Sequence, residues 1–175
     1  MRKTIECLFD LKYLKKLASG YDLSTKLKKT RKGLSVYATK PIKKNNVICY
    51  YKFKLFKMKT YNRPVRRGAY MITVYTKTKR ASNTLIGDLY EGSYIAPRRN
   101  IPFWGYLANE PSLKQKANSY IDFATKDNYR KKNALKSGDT MIYKLRALRN
   151  INPGEEVVWC YGEGYHRNYS SSCSE

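Results

Sequence analysis

The chain has little histidine and little negative charge: one histidine, His166, and 13 acidic residues against 36 lysines and arginines, for a formal net charge of +23. A single histidine leaves almost no material for a Ser-His-Asp triad or a multi-histidine metal site. No stretch reaches the roughly 18 consecutive apolar residues of a membrane-spanning helix. We therefore expect any chemistry here to use tyrosine, backbone groups and a bound cofactor.

The four cysteines are scattered, and none forms a Cys-x-x-Cys or Cys-x-Cys pair. This spacing argues against both a structural zinc site and a dense disulfide framework. We therefore predict no metal site and four free thiols, at Cys7, Cys49, Cys160 and Cys173. Free thiols are typical of a reducing compartment, so the pattern predicts an intracellular protein.

Apolar residues are plentiful enough for a folded core despite the charge. The sequence is 42% hydrophobic and 14% aromatic, with 17 tyrosines, which is far from the composition of a disordered chain. A chain of 175 residues fits one domain that buries about 70% of its unfolded surface. The positive charge predicts an acidic partner, and DNA, RNA, a membrane surface or an acidic protein would satisfy it equally well.

Hydrophobic periodicity predicts a mostly β domain with one leading helix. Apolar residues recur every three or four positions over residues 4–17, which predicts a short amphipathic helix closed by Gly20. The basic run 26–32 is interpreted as a solvated loop. Beyond it the period becomes two, which predicts strands at about residues 34–38, 47–55, 69–75, 119–124, 141–149 and 156–160.

Two segments carry a more specific pattern. Residues 32–48 contain a glycine turn, a short apolar stretch, a proline and a basic turn, and residues 145–162 end the apparent domain. Together with Asn109 and Asn118 between them, these segments resemble the SET domain of protein lysine methyltransferases, in particular compact stand-alone SET proteins such as those of large DNA viruses. In the second segment the residues at the positions of the family signature are Arg149, Asn150, Ile151, Pro153, Gly154, Glu155, Glu156, Cys160, Tyr161 and Gly162, with Asn150 and Cys160 in place of the two aspartates of the family.

The resemblance implies a fold of small curled β-sheets in which the carboxyl-terminal segment threads a loop. That segment would bring the Asn109 region and Tyr161 into one site. The implied organisation is an N-terminal helical extension over residues 1–25, a SET domain over residues 26–165 and a disordered tail over residues 166–175.

The same resemblance implies S-adenosyl-L-methionine as the methyl donor. The turn at Gly33, Leu34 and Ser35 would approach the donor with its backbone, and Asn109 would hydrogen-bond the methionine end. The main chain at Asn109 and Glu110 would hold the adenine. Further expected cofactor contacts are Tyr70 and Tyr165, the latter by stacking together with Tyr169.

Tyr161 is the catalytic candidate that the resemblance implies. Methyl transfer is an in-line displacement, so catalysis consists mainly of aligning the donor carbon and a neutral lysine nitrogen in a dry channel. A tyrosine hydroxyl can orient the amine there. Tyr120 and Trp159 are the expected channel residues. Trp159 would share the face of Tyr161 only in the absence of a bulge, because alternate strand residues face the same side.

Two of the departures from the family pattern bear on catalytic activity. Ser35 stands where the family usually has a second glycine, and Glu110 stands where it has histidine, with a longer spacing to Asn118. These departures leave an alternative open. In that alternative the chain is a catalytically inactive SET-like basic module that binds nucleic acid or nucleosomes.

The expected partner is a protein lysine in a histone or another basic tail, and no membrane is expected. Because a basic enzyme should repel a basic tail, we expect the tracts 26–32 and 52–59 to bind nucleosomal DNA while an acidic patch near the channel accepts the tail. These expectations place the protein in the nucleus or on chromatin, with a viral factory or virion as the alternative. The target lysine, the methylation degree and the oligomeric state are not predicted.

Overall fold

A computed structural model describes residues 5–61, 70–74, 84–123, 135–162, 165 and 167–173. The regular elements of these residues are listed in chain order. They are a 3₁₀ helix (Ile5–Phe9), α1 (Leu11–Leu17), β1 (Thr25–Thr30), β2 (Gly33–Ala38), β3 (Val47–Lys57), a 3₁₀ helix (Met58–Thr60), β4 (Ile72–Val74), β5 (Leu85–Asp88), a 3₁₀ helix (Gly105–Leu107), β6 (Ser119–Asp122) and β7 (Thr140–Ala147).

The described strands form a two-stranded sheet, β1-β2, and a five-stranded antiparallel sheet in the order β4-β5-β3-β7-β6. The central strand β3 shows why period-two patterning predicted it. Tyr51, Phe53 and Leu55 are buried, whereas Lys52 and Lys54 between them are half-buried on the opposite face. The prediction of a mostly β fold with a leading helix is confirmed.

The leading helix is interrupted at Asp10. The sequence predicted one helix over residues 4–17, and residue 4 lies outside the described residues. Instead, a 3₁₀ turn ends at Phe9, and Asp10 caps α1 by accepting hydrogen bonds from the amides of Lys12 and Tyr13 at 2.8 and 3.3 Å. No helix in the described part of the chain is long and apolar enough to cross a membrane.

The N-terminal segment packs into the domain core. Leu8 and Leu14 are fully buried. Their carbonyls accept hydrogen bonds from the hydroxyls of Tyr106, at 2.7 Å, and of Tyr94, at 3.1 Å. The segment that was predicted to be a separate extension therefore forms part of the domain core.

Two strands were missed by the sequence patterns, and a third is less regular than predicted. The basic run 26–32 was predicted to be a loop, but β1 lies in it, with Leu27 buried between exposed lysines. The strand β5 has no alternation because all four of its residues are buried. Residues 156–160 form single β-bridges at Glu156 and Val158 instead of a strand. The ends of the predicted strands 69–75 and 119–124 lie outside the described residues.

The carboxyl-terminal segment lies between two parts of the chain, as the predicted threading requires. On one side the Val157 amide donates to the Val36 carbonyl at 2.8 Å. On the other side Asn118, which is 2% exposed, donates through Nδ2 to the Glu156 carbonyl at 2.8 Å and accepts from the Val158 amide at 2.9 Å. Asn118 thus holds both neighbours of Val157.

Buried tyrosines predict a two-phase alkaline titration. Burial raises the pKa of Tyr51 and Tyr106 well above the usual value and that of Tyr143 to about 12. A raised pKa in the folded state means that the neutral tyrosines contribute to the free energy of unfolding. That contribution is complete below the unfolded pKa of about 10 and is lost as pH rises through the folded values. We expect part of the tyrosinate absorbance to appear only as circular dichroism reports unfolding. Complete ionisation near pH 10 with an intact fold would contradict this.

Candidate active site

One cavity of about 720 Å³ draws its lining from separate parts of the chain. Its walls combine aromatic rings with amide, carboxylate and lysine groups. The lining residues are Phe9, Asp10, Leu11, Lys29, Lys32, Gly33, Leu34, Tyr70, Tyr106, Leu107, Asn109, Glu110, Pro111, Ser112, Tyr161, Tyr165, Tyr169 and Ser170. Seven of the predicted site residues are among them: Gly33, Leu34, Tyr70, Asn109, Glu110, Tyr161 and Tyr165.

The turn between β1 and β2 forms one edge of the cavity. Gly33 has a φ of +97°, a conformation that residues with a Cβ rarely adopt. The hydroxyl of Thr30 donates to the Gly33 carbonyl at 3.1 Å and accepts from the Lys32 amide at 3.1 Å, which closes the turn. The glycine therefore allows backbone rather than a side chain to border the cavity.

Asn109 is held by groups on two sides. Its Nδ2 donates to the Ser35 hydroxyl at 2.7 Å and to the Leu34 carbonyl at 3.3 Å. Its carbonyl accepts from the Trp159 amide at 3.1 Å, beside a parallel bridge to Val158. This pairing brings the Asn109 region next to the carboxyl-terminal motif.

Tyr161 reaches the same region with its hydroxyl. The hydroxyl donates to the Ala108 carbonyl at 3.0 Å, and the ring lies 4.8 Å from the ring of Tyr165. Burial, reinforced by the neighbouring Tyr169 and Tyr165, raises the pKa of Tyr161 well above its usual value. The hydroxyl is therefore protonated at neutral pH and acts as a hydrogen-bond donor rather than as a base.

The sequence profile of the SET domain matches residues 33–162. This chain belongs to the SET-domain family. The match begins at the glycine turn and ends just after Tyr161, so it contains most of the cavity lining. No curated protein sequence matches the chain.

Solved structures share the SET fold with this chain at low identity. A Plasmodium falciparum protein named as a candidate histone methyltransferase is 17% identical with a TM-score of 0.50, covering 82% of this chain and 97% of that one. CpSET8 from Cryptosporidium is 16% identical with a TM-score of 0.51, covering 94% of this chain and 84% of that one. At these identities the likeness concerns the fold.

Ser35 and Glu110, two departures from the family pattern, both have hydrogen-bond partners beside the cavity of this SET domain. Ser35 is fully buried, and its hydroxyl bonds Asn109 and, at 3.0 Å, Thr30, so it supports the site from behind. Glu110 turns its carboxylate toward the tail, as described below. Its carbonyl accepts from Lys32 Nζ at 3.1 Å, and the Asn109 carbonyl accepts from the Trp159 amide. The carbonyls of both residues whose main chain is predicted to hold adenine therefore already accept one hydrogen bond.

Trp159 lies beside Tyr161 in this SET domain. Its indole Nε1 donates to the Ala108 carbonyl at 3.2 Å, the same oxygen that accepts from Tyr161, and the two rings are 4.9 Å apart. The two side chains therefore converge on one side, which answers the question that alternation left open. Trp159 packs against the core and is not among the cavity-lining residues.

The other predicted channel residue, Tyr120, is placed elsewhere. It lies on the edge strand β6, paired with Arg146, and its side chain is 37% exposed. Its neighbours Ser119 and Ile121 are buried, so alternation turns Tyr120 outward. Tyr120 is also absent from the cavity lining.

The prediction of four free thiols is wrong, and the prediction of an intracellular protein, which rested on it, loses its premise. Cys160 and Cys173 form a disulfide with a Cα–Cα distance of 5.5 Å, whereas Cys7 and Cys49 are in no disulfide. The tail expected to be frayed is also ordered over its described part, because Ser171 is buried and its hydroxyl donates to the Pro111 carbonyl at 2.9 Å. Spacing alone could not find this pair, since the two cysteines meet only when the tail folds back.

This disulfide predicts a specific labelling pattern. In denaturant without reductant, an alkylating reagent should label only Cys7 and Cys49, and peptide mapping should recover residue 160 linked to residue 173. Closing so short a loop should stabilise the fold by about 3 kcal/mol, so Cys173→Ser should lower the unfolding free energy by up to that amount. Alkylation of all four thiols without reductant would contradict the pairing.

Several cavity residues carried no signal in the sequence. Phe9, Asp10 and Leu11 precede the matched region and were assigned to a separate extension, yet they line the cavity. Lys29 and Lys32 were assigned to a solvated run. Arg167 is an isolated tail residue whose importance depends on Glu110, 57 residues earlier. Only the tertiary arrangement connects these residues.

Proposed function

We propose that this SET domain is an S-adenosyl-L-methionine-dependent protein lysine N-methyltransferase with a histone tail as its default substrate. The supporting observation is that the glycine turn, Asn109 and Tyr161 border one cavity although they are far apart in sequence. On this proposal the protein acts at chromatin in the nucleus. Among the described residues, no three His, Cys, Asp or Glu side chains form a group that could hold a metal ion.

The residues that line the cavity fit the donor in size and chemistry. A volume of about 720 Å³ lies within the range of about 300–1,000 Å³ for small-molecule sites. Tyr70 and Tyr165 offer aromatic faces for an adenine ring, and Asn109 and the backbone at Gly33 offer polar groups for an amino-acid end. When bound, S-adenosyl-L-methionine would supply an activated methyl group on a sulfonium.

The protein must bind the substrate lysine as a neutral amine and keep water out of the site. A lysine has a solution pKa of about 10.4. Burial lowers that pKa, which increases the fraction of neutral amine at a given pH. The protonated Tyr161 hydroxyl can orient the amine, because its oxygen also carries acceptor lone pairs. The rings of Trp159 and Tyr165 flank the Tyr161 ring at 4.9 and 4.8 Å.

The described residues that line the cavity do not form the acidic patch that was expected to accept a basic histone tail. Its two carboxylates, Asp10 and Glu110, are both engaged, Asp10 as the cap of α1 and Glu110 in a salt bridge with Arg167. The described cavity lining therefore leaves no carboxylate without a partner to attract a basic substrate peptide.

The proposal is tested by methyl transfer from a labelled donor to histones, nucleosomes and a lysine-containing peptide array. We expect label on lysine ε-amines, identified by tandem mass spectrometry, and the array should identify the preferred sequence. Label restricted to other side chains, or donor binding without transfer to any of these substrates, would overturn the proposal.

A second candidate function is nucleic-acid binding by the outer face of the large sheet. Lys52 and Lys54 lie on that face with their Nζ atoms 5.7 and 5.9 Å from the Tyr90 ring. Cross-strand pairing of Tyr50 with Lys144 places a further cation there. Cations beside aromatic rings suit phosphates and stacked bases. The face could serve the enzyme by holding nucleosomal DNA.

Charge reversal separates the two functions. Lys52→Glu with Lys54→Glu should weaken methylation of nucleosomes more than methylation of free peptide, and should reduce the salt slope of DNA binding by about 2. The matched control is Lys15→Glu with Lys16→Glu, which makes the same charge change at exposed positions of α1. Equal losses on nucleosomes and peptide, or equal effects of both pairs, would contradict a specific DNA face.

A further inference from the structure

The Glu110 carboxylate is an unusually well-bonded group at the edge of the cavity. Its side chain is fully buried, and it accepts four hydrogen bonds. Oε1 accepts from the Tyr161 amide and from Arg167 Nη2, both at 2.7 Å. Oε2 accepts from Arg167 Nε and from the Tyr169 hydroxyl, both at 2.8 Å. Oε1 is therefore shared between Tyr161 and the tail, whereas Oε2 bonds only the tail.

The pairing with Arg167 offsets the cost of burying a charge. A buried carboxylate is costly unless it is paired and hydrogen-bonded. Here the guanidinium donates two parallel bonds to the two oxygens, the strongest geometry for such a pair. Burial raises the pKa of Glu110, but the bonds from Arg167, the Tyr161 amide and Tyr169 together lower it below its usual value. The carboxylate is therefore ionised at neutral pH.

Arg167 also shapes the loop that follows Tyr161. It donates through Nη2 to the Gly162 carbonyl at 2.9 Å and through Nη1 to the Tyr165 carbonyl at 3.0 Å. Its guanidinium lies 5.6 Å from the Tyr165 ring. Arg167 thus links Glu110 to Gly162 and Tyr165. Tyr165, Tyr169 and Ser170 line the cavity.

We propose that Glu110 is a positioning residue that orients Tyr161 through its amide and fastens the described tail residues, 165 and 167–173, as a wall of the cofactor cavity. This role rests on the proposed function, because it assigns the cavity to the methyl donor. This role explains why glutamate at position 110, where the family has histidine, suits this chain. Its carboxylate can accept hydrogen bonds from the Tyr161 amide, Arg167 and Tyr169 at the same time. A neutral side chain would leave the guanidinium without a counter-charge, and a cationic side chain would repel it.

Hydrogen exchange in the protein without ligand tests the fastening separately from catalysis. Glu110→Gln keeps the size of the side chain and removes its charge, so exchange of the amides of residues 167–173 should accelerate about 10- to 100-fold. Exchange in β3 should remain unchanged. The control is Glu155→Gln, which removes the carboxylate of the more exposed Arg149 pair outside the cavity. Unchanged tail exchange in Glu110→Gln, or equal acceleration in the control, would overturn the proposal.

A split between kinetic constants tests the positioning of Tyr161. Tyr169→Phe removes only the tail hydroxyl, so it should raise the KM for S-adenosyl-L-methionine several-fold with little change in kcat. Glu110→Gln should raise that KM and also lower kcat about 10-fold or more, because the Tyr161 amide loses its charged acceptor. If Glu110→Gln does not fold, Arg167→Lys replaces it in the exchange experiment and should accelerate tail exchange.

The two proposals fail in distinguishable ways. Equal kcat in wild type and folded Glu110→Gln would overturn the positioning role even if the enzyme is active. A wild-type protein that neither binds nor uses the donor would overturn the proposed function and, with it, the assignment of this wall to a cofactor. Accelerated tail exchange would in that case report only the structural ion pair.

Discussion

Replacing Tyr161 with phenylalanine should lower kcat for methyl transfer by at least about 100-fold. The substitution keeps the ring, with its contacts to Trp159 and Tyr165, and removes the hydroxyl that donates to the Ala108 carbonyl. Donor affinity measured by calorimetry should change only a few-fold, because the cavity wall keeps its shape. A large fall in kcat with preserved binding identifies a group that acts in the reaction rather than in the fold.

The matched control for this substitution is Tyr120→Phe. Tyr120 is another tyrosine on the same domain, but it is exposed on an edge strand and outside the cavity lining. Its variant should retain wild-type kcat and donor affinity. Near wild-type kcat in Tyr161→Phe, or comparable losses in both variants, would exclude the role assigned to Tyr161.

The second large effect is on stability, at Asn118. Its amide satisfies two backbone groups of the carboxyl-terminal segment, the Glu156 carbonyl and the Val158 amide. Asn118→Ala leaves both groups without these partners next to buried Val157 and Val158. Because each buried unsatisfied group costs about 1–3 kcal/mol, the unfolding free energy should fall by about 2–5 kcal/mol. Urea unfolding should show a lower midpoint with an unchanged slope.

Asn150→Ala is the corresponding control. Asn150 also bonds the backbone through its side chain, accepting from the Lys44 amide at 2.9 Å, but this contact is exposed. Water can replace it, so the unfolding free energy should fall by less than about 1 kcal/mol. If Asn118→Ala costs no more than Asn150→Ala, the buried clamp does not hold the carboxyl-terminal segment.

Sequence patterns predicted the strands in which apolar and polar residues visibly alternate and missed two strands, β1 and β5, whose sequences do not show that alternation. The alternation of β3 is visible because Phe53 and Leu55 face the core while Lys52 and Lys54 do not. In β5 both faces are covered, so no alternation exists to be recognised. In β1 the many lysines concealed Leu27, and only pairing with β2 makes that run a strand.

The site was predictable where the motif residues themselves form it. Gly33, Asn109 and Tyr161 were assigned from the resemblance and line one cavity. The tail was not predictable, because Arg167 and Cys173 act through partners distant in sequence, and neither residue type at those positions indicates its partner. The directions of side chains could also be determined only from the structure. Tyr120 points outward, and Trp159 converges with Tyr161 on the Ala108 carbonyl.

Calorimetric titration of the wild-type protein with S-adenosyl-L-methionine, beside a titration with duplex DNA, tests the enzyme most directly against the inactive module. If the protein is an enzyme, we expect saturable binding of one donor molecule per chain, whether or not DNA also binds. Asn109→Ala should weaken that donor binding. No heat from the donor, together with DNA binding that falls steeply with salt, would contradict the assignment of the cavity and leave a basic nucleic-acid-binding module.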